Sequence, residues 1–460
     1  MSPYTIKHLE GISAIAFRSP LILSAAGLLL VASFIRFLLS RPKKLDLPIV
    51  EVPGSSDQRE ALLQGTAQYP DSPFIIKSEW PIVILPVSVI NEVKSLPESK
   101  VSFTLETKQL LAYEHTGVGD DAHEVLRAIK IDLTRNLAST LDDMQEEIKV
   151  YGKVARLVAL LSGRVFVGRL LSRDEEWIEA TVSFSLYVMR AVHAIKAYPS
   201  CVRSIVAPFL PELRKLNEFR ARAAELLRPI LEQQLAKEKN EKIRRDDVAG
   251  GQGIMISWML KHTPEHQRAS ALVLVKNQMS LSFASIDTTA SAIVAAIYDL
   301  ATYPEYIQPL KDEIQQVMDE DGCDIDADGI MRFKKAIIPK LWKLDSFMKE
   351  CQRHTPSLIS TANRITTSAI TLSTGHTLPK GTRFGFPAWA IHRSPNTPVF
   401  NPAKNPSSKL VTEFDGLRFY NYRKIPGNEN KQQFVTASPE SLNFGQGTHA
   451  CPGRFFATSN

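Results

Sequence analysis

Cysteine is scarce in this chain of 460 residues: four in all, Cys201, Cys323, Cys351 and Cys451, with no CxxC pair among them. That scarcity excludes a disulfide scaffold, and it suits a reduced, cytosol-facing domain. Internal repeats and Gly/Ser-rich linkers are also missing, so nothing divides the chain into an array of modules. A basic stripe is lacking too. Lys and Arg total 55 against 49 Asp and Glu, a formal charge of +6, and the cations are scattered without interleaved aromatics, which argues against a nucleic-acid partner. What remains is globular, 44% hydrophobic and 23% charged, enough for one large catalytic domain or two or three ordinary ones.

Long apolar runs are rare, and the first lies near the start. Leu21 to Leu39 reads LILSAAGLLLVASFIRFLL, about the length that spans a bilayer, with only Arg36 interrupting it near one end where a long side chain can snorkel. Arg41, Lys43 and Lys44 follow, whereas the leading segment carries Lys7, Arg18 and Glu10, so the basic excess places the bulk of the chain in the cytosol. The expected organisation is an N-terminal segment over 1–20, a single-pass transmembrane anchor over 21–39, a polar hinge over 40–55 and a globular domain over 56–460. A cleaved signal peptide is the alternative, opposed by the length ahead of the run and the lack of a small-x-small site.

The most informative stretch lies near the other end: Phe444-Gly445-Gln446-Gly447-Thr448-His449-Ala450-Cys451-Pro452-Gly453-Arg454-Phe455-Phe456-Ala457. Gly445 and Gly447 permit a tight turn with positive φ, and Pro452 suits the first position of a helix, so Cys451 is expected at a loop-to-helix junction with its thiol pKa lowered. Such a thiolate could be a nucleophile, a zinc ligand or an axial iron ligand. No second cysteine is nearby and the flank is aromatic, which favours iron. The stretch resembles the haem-ligand signature of cytochrome P-450 monooxygenases, in a variant common in fungi.

Other segments carry the same resemblance in the family's order. Helical periodicity begins near Asp121, and in His123-Glu124-Val125-Leu126-Arg127 the residues His123 and Arg127 share one helix face. The family directs such a pair at the haem propionates; an ordinary solvated face is the alternative. Leu213 to Arg245 reads as an amphipathic helix ending in a solvated charge run. Ala271 to Leu300 is long, apolar and sparsely charged, so it must cross the core. Asp287-Thr288-Thr289 stands in its middle, where Thr288 can bond the carbonyl of Ala284 and open the helix locally. The segment resembles the family's proton-delivery element, with Ser285 in place of the usual second glycine. The resemblance implies Asp287 and Thr288 as proton-delivery residues, with Phe283 and Ala284 facing substrate. Asp324-Ile325-Asp326-Ala327-Asp328-Gly329 imitates the opening of a calcium loop, but Lys335 occupies the twelfth position and an acidic surface loop is expected.

Glu350 and Arg353 share one face of a helix over Leu341 to His354, and Phe414-Asp415-Gly416-Leu417-Arg418-Phe419 resembles the family's later Arg-aromatic element. Glu350, Arg353 and Arg418 are therefore expected to satisfy one another in a buried network. Strand-like segments around Ile370-Thr371-Leu372 and a turn at Leu378 to Thr382 follow. Arg364 and His449 are candidate donors to the haem carboxylates, and the loop residues Phe444 and Gly445 are candidate haem-binding residues beside Cys451.

The resemblance implies a mainly α domain with small β-sheets, monomeric, enclosing haem b ligated by Cys451. It also implies tethering to the endoplasmic reticulum by the N-terminal helix. The implied reaction is insertion of one oxygen atom from O2 into a bulky lipophilic substrate, a terpenoid or meroterpenoid of fungal secondary metabolism. Electrons come from NADPH through a flavoprotein reductase that docks on basic residues of the proximal face. Two alternatives stay open. A haem-thiolate isomerase or dehydratase would need no reductase, and the retained Asp287-Thr288 pair speaks against it. An inactive membrane protein is the other, because the chain ends at Asn460, whereas family members continue further past the cysteine.

Overall fold

The helix Ala271–Thr302 organises the fold. It contains no glycine or proline, and Lys276, Asp287 and Asp299 are its only charges, so it is stable chiefly through the surfaces it packs on. Those surfaces belong to the helices Val154–Val167, Glu175–Lys196, Pro211–Glu241 and Trp342–His354. A computed structural model describes residues 45–51, 58–77, 81–120, 125, 127, 154–241, 255–264, 271–321, 324–325, 331–332, 334–405 and 409–459.

The largest core cluster joins Phe166, Trp177, Phe184, Leu216, Met259 and Met279. In Pro211–Glu241 the buried residues Leu213, Leu216, Ala223, Leu227 and Leu231 recur at helical spacing, which is the periodicity that predicts this helix. The helix Glu175–Lys196 starts where Asp174 accepts the Trp177 N–H at 3.0 Å, with Glu175 and Glu176 in its first turn against the positive end of the helix dipole.

Beside the helices lies a sheet of six short strands, in the order Ile49–Val50, Phe74–Ile76, Ile82–Ile84, Arg383–Phe386, Thr361–Thr366 and Val101–Ser102. Ile49–Val50 runs parallel to Phe74–Ile76, and Ile82–Ile84 parallel to Arg383–Phe386; the other neighbours are antiparallel. Arg364 pairs with Phe384 in register, and the ladder shifts between Phe384 and Phe386. Glycine at the shift lets the Asn363 and Ser360 side chains lie close to the strand, since a Cβ on Gly385 would meet Asn363 Oδ1 unless that side chain moved. The expected strand and turn near residue 370 are a hairpin of Ile370–Thr371 with Thr377–Leu378.

The anchor expected over 21–39 lies outside the described residues. Part of the stretch read as a hinge is instead sheet: Ile49–Val50 is an edge strand, because its alternation buries Val50 against Phe74 and Ile76. Among the described residues one helix, Val273–Thr302, is long and apolar enough to cross a membrane by length and composition, and it is the core-crossing helix of the domain. Asp324–Ile325 and Met331–Arg332 pair antiparallel on either side of the calcium-like loop, whose residues 326–330 are not among those described.

Replacing Asp174 by alanine removes the cap of the helix that bears Trp177. The expected outcome is a loss of about 1 kcal/mol of stability, read as a lower denaturation midpoint at unchanged denaturant slope.

Candidate functional site

Glu350 is the most completely enclosed acid near the site. Arg353 donates from Nε to Oε2 and from Nη2 to Oε1, both at 2.7 Å, a bidentate pair across one helical turn. Arg418, from the short helix Arg418–Arg423, reaches Oε1 at 3.3 Å, and the Asp415 N–H donates to the same oxygen at 2.9 Å. The remaining guanidinium donors go to carbonyls: Arg353 to Val411 and Glu413, Arg418 to Lys409, Leu410 and Glu413. All three side chains are buried. The structure thus brings together the three residues grouped from the sequence.

The segment that this network anchors leads to the cysteine loop. Gly445 and Gly447 have φ of 66° and 74°, and the Cys451 N–H donates to the Phe444 carbonyl at 2.7 Å, closing the loop. A Cβ on Gly447 would sit 2.7 Å from the Lys94 carbonyl oxygen, so glycine here also lets another segment approach. The helix runs Arg454–Ser459, with Pro452 and Gly453 in the turn before it rather than Pro452 in its first position. The expectation for the thiol is reversed in sign. Burial pushes the Cys451 thiol up; the N–H groups of Gly453 and Arg454 and the Arg454 charge pull it down as anticipated, without prevailing. Cys351 is also buried, and its thiol is pushed up by desolvation and by Asp299, which makes it inert.

The central helix and the cysteine helix share a cluster: Phe456 stacks on Phe166 with centroids 5.6 Å apart, and Phe283 packs against the same group. From Phe283 onward, one face of the central helix opens. Ala284, Asp287 and Thr288 are exposed while Ser282, Ile286 and Thr289 are buried. The Thr288 hydroxyl donates to the Ala284 carbonyl at 2.7 Å, the back-bond that the sequence predicts. Ser285, which stands in place of the usual second glycine, turns its hydroxyl to the Ser282 carbonyl at 3.4 Å.

Arg364 and His449 converge through an aromatic side chain that the sequence does not flag. The Arg364 guanidinium lies 4.9 Å over the Phe103 ring, and that ring is 5.2 Å from the His449 ring. His449 Nε2 lies 3.0 Å from Glu98 Oε1. Arg364 is 6% exposed, donates to the Asn363 carbonyl at 2.7 Å, and has no carboxylate within 4.0 Å among the described residues. Burial lowers it to about 10, with Glu98 and Glu106 holding it up from a distance. Arg127 is exposed on a helical turn, and no described contact joins it to this group; His123 lies outside the described residues.

The cytochrome P-450 family profile matches residues 121–460. The chain is 45% identical over 460 residues to the cytochrome P-450 monooxygenase ascG of Acremonium egyptiacum, covering 96% of this chain and 86% of the relative. This chain belongs to the cytochrome P-450 family. A second P-450 monooxygenase, BOA7 of Botryotinia fuckeliana, is 39% identical over 495 residues, covering 98% of this chain and 90% of the relative. The fold agrees: the retinoic acid bound cyanobacterial CYP120A1 aligns at a TM-score of 0.57 and 15% identity over 90% of this chain and 89% of that one. Likeness to named monooxygenases over nearly the whole length makes this P-450 a monooxygenase.

Haem is the family's prosthetic group, and the residues present fit it. Among the described residues the buried Arg364 guanidinium meets no carboxylate within 4.0 Å; such a cation is costly unless an anion meets it, and a haem carboxylate is such an anion. A coordinating metal would also overcome the upward push on the thiol, since a metal-bound thiol is deprotonated outright. Sequence reasoning missed Phe103, Glu98 and Glu106. Arg383 Nε donates to both oxygens of Glu106, at 2.8 and 2.9 Å, with Nη2 also 2.8 Å from Oε1, and these partners lie more than two hundred residues apart, beyond any periodic signal.

Two outcomes follow from this geometry. Glu350→Ala leaves Arg353 and Arg418 buried without their acid and is expected to cost about 3–5 kcal/mol, seen as loss of soluble folded protein or a collapsed melting temperature. Gly447→Ala forces a Cβ toward Lys94 at positive φ. It is expected to cost about 1–3 kcal/mol and to lower the fraction of protein carrying a thiolate-type carbon-monoxide spectrum.

Proposed function

We propose that this P-450 inserts one oxygen atom from O2 into a bulky lipophilic substrate, a terpenoid or meroterpenoid of fungal secondary metabolism. NADPH would supply the electrons through a separate flavoprotein reductase. The anchor at 21–39 would hold a monomeric catalytic domain on the cytosolic face of the endoplasmic reticulum. One observation carries the reading: an acid and an alcohol, Asp287 and Thr288, lie adjacent and exposed in the middle of the long central helix, on the strip that also carries Ala284. Exposed polar groups in mid-helix are where water and protons can reach a reacting centre.

Cys451 would ligate the iron, Arg364 and His449 would face its carboxylates with Arg127 and His123 as further candidates, and Phe444 and Gly445 would shape the proximal wall. When bound, the haem supplies the oxygen activation that no side chain can perform. The chain's own residues then do the positioning. Because Thr288 spends its hydroxyl proton on the Ala284 carbonyl, its oxygen lone pairs remain open to hold a water. Asp287, exposed beside it, connects that water to solvent and can take up and release protons. Phe283 and Ala284 offer apolar surface on the same stretch, suited to a lipophilic substrate.

The test is a reduced carbon-monoxide difference spectrum, followed by incubation with reductase, NADPH and candidate terpenoids. A Soret band at about 450 nm and a mass gain of one oxygen are expected. Cys451→Ser is expected to abolish the band. Thr288→Ala should keep the band and lower product formation about 10²-fold while NADPH is still consumed. Absence of the band in the wild type, or turnover without NADPH, would overturn the reading.

A further inference from the structure

The segment between Arg423 and Phe444 contains no recognisable motif, yet the helix Trp342–His354 grips one of its peptides at both ends. Lys349, 2% exposed, donates from Nζ to the Gln433 carbonyl at 2.9 Å and to Ser441 Oγ at 2.8 Å. Asp345, one turn earlier on the same face, accepts the Phe434 N–H with its two oxygens at 3.1 and 3.0 Å. The Gln433 carbonyl and the Phe434 N–H belong to a single peptide unit, so its donor and its acceptor are both fixed by side chains of one helix. Immediately before it, Gln432 has φ of 56°, a left-handed conformation that a residue with a Cβ keeps only when its surroundings hold it.

The grip is passed on to the cysteine loop by two routes. Through the first, the Phe434 ring meets the Phe444 ring edge-on, with centroids 5.5 Å apart and planes at 86°, and the Phe444 carbonyl accepts the Cys451 N–H. Through the second, Lys349 holds Ser441, and the next residue, Leu442, donates its N–H to Nε2 of the buried His392 at 3.1 Å. Burial pushes the Lys349 amine down to about 7, with Asp345 opposing that push and Arg423 adding to it. Charged or neutral, the amine keeps enough hydrogens for both acceptors.

We infer that Asp345 and Lys349 form a clamp that positions the Cys451 loop, acting through the Phe434–Phe444 contact and the Ser441–Leu442 anchor. They are positioning residues and touch neither substrate nor cofactor. The inference rests on Cys451 as the ligand-bearing residue, and its test separates the two ideas. Hydrogen exchange of the holoenzyme is measured by mass spectrometry over 436–451, together with the reduced carbon-monoxide spectrum, for wild type, Lys349→Met, Lys349→Gln and Phe434→Leu.

Lys349→Met keeps length and loses the donor. It is expected to raise exchange over 436–451 by roughly tenfold or more, with Glu175–Lys196 and Pro211–Glu241 unchanged, and to shift part of the carbon-monoxide band away from its thiolate position. Lys349→Gln keeps a donor and should recover part of both signals. Should Lys349→Met fail to yield holoenzyme, Phe434→Leu, which leaves the clamp bonds and removes the ring contact, is expected to give the same confined pattern. Unchanged exchange and band in either variant, or exchange raised uniformly through the domain, would overturn the clamp. If the wild type itself lacks the thiolate band, ligation by Cys451 has failed, and the exchange measurement alone decides whether the loop is clamped.

Discussion

A carboxylate shut away from water with two guanidinium groups is the constraint on which the proximal half of this molecule depends. Glu350 alone in that position would be prohibitively costly, and so would Arg353 or Arg418. Together they are tolerated because nearly every donor has an acceptor: two arginines share the acid, and their remaining N–H groups collect the carbonyls of Lys409, Leu410, Val411 and Glu413. Such a network contributes little net stability against an apolar replacement. What it contributes is register, since a peptide path between residues 409 and 418 that missed any of these bonds would leave a charge stranded.

Register matters because the same helix has further work on its other positions. Ser346 donates to the Gly416 carbonyl and accepts the N–H groups of Phe419 and Tyr420, so it fixes the entry to the short helix that carries Arg418. Asp345 and Lys349 hold the next stretch. One helix of thirteen residues therefore holds points along the chain from residue 411 to 441, and the cysteine loop begins three residues later. The distal side is built differently. The central helix is held by apolar contacts on several faces, which fix its axis firmly, and one strip, around Ala284, Asp287 and Thr288, is left exposed among the described residues.

Much of this was legible from the chain alone, for identifiable reasons. The long helices were readable because their burial follows a period: Leu213, Leu216, Ala223, Leu227 and Leu231 mark one face, and the long, sparsely charged run from Ala271 reads as a core helix. The Glu350–Arg353 pair and the Thr288 back-bond were readable because they are local, three and four residues apart. What could not be read is non-local or a balance of opposed effects. Phe103 between Arg364 and His449 brings together three distant segments. The thiol of Cys451 was expected low because its donors are visible in the sequence, whereas its burial is a property of the fold, and burial prevails. Ile49–Val50 sits inside a polar, basic stretch with Pro42 and Pro48 that reads as a hinge until a partner strand is found.

Backbone strain shows how closely these long-range contacts serve the site. Among the described residues, the non-glycine positions with positive φ are Ala112, Ala362 and Gln432. Ala112 opens the turn that presents Tyr113 to Lys276 of the central helix, at 2.6 Å. Ala362 lies two residues before Arg364 on the strand that carries the buried guanidinium. Gln432 precedes the peptide held by Asp345 and Lys349. Each costs of order 1–3 kcal/mol relative to a relaxed residue and persists only because packing over-determines it. The three strained positions, one on the strand that carries Arg364, one beside the first turns of the central helix and one beside the peptide held by Asp345 and Lys349, draw on stability generated in the apolar cluster around Trp177 and Phe184.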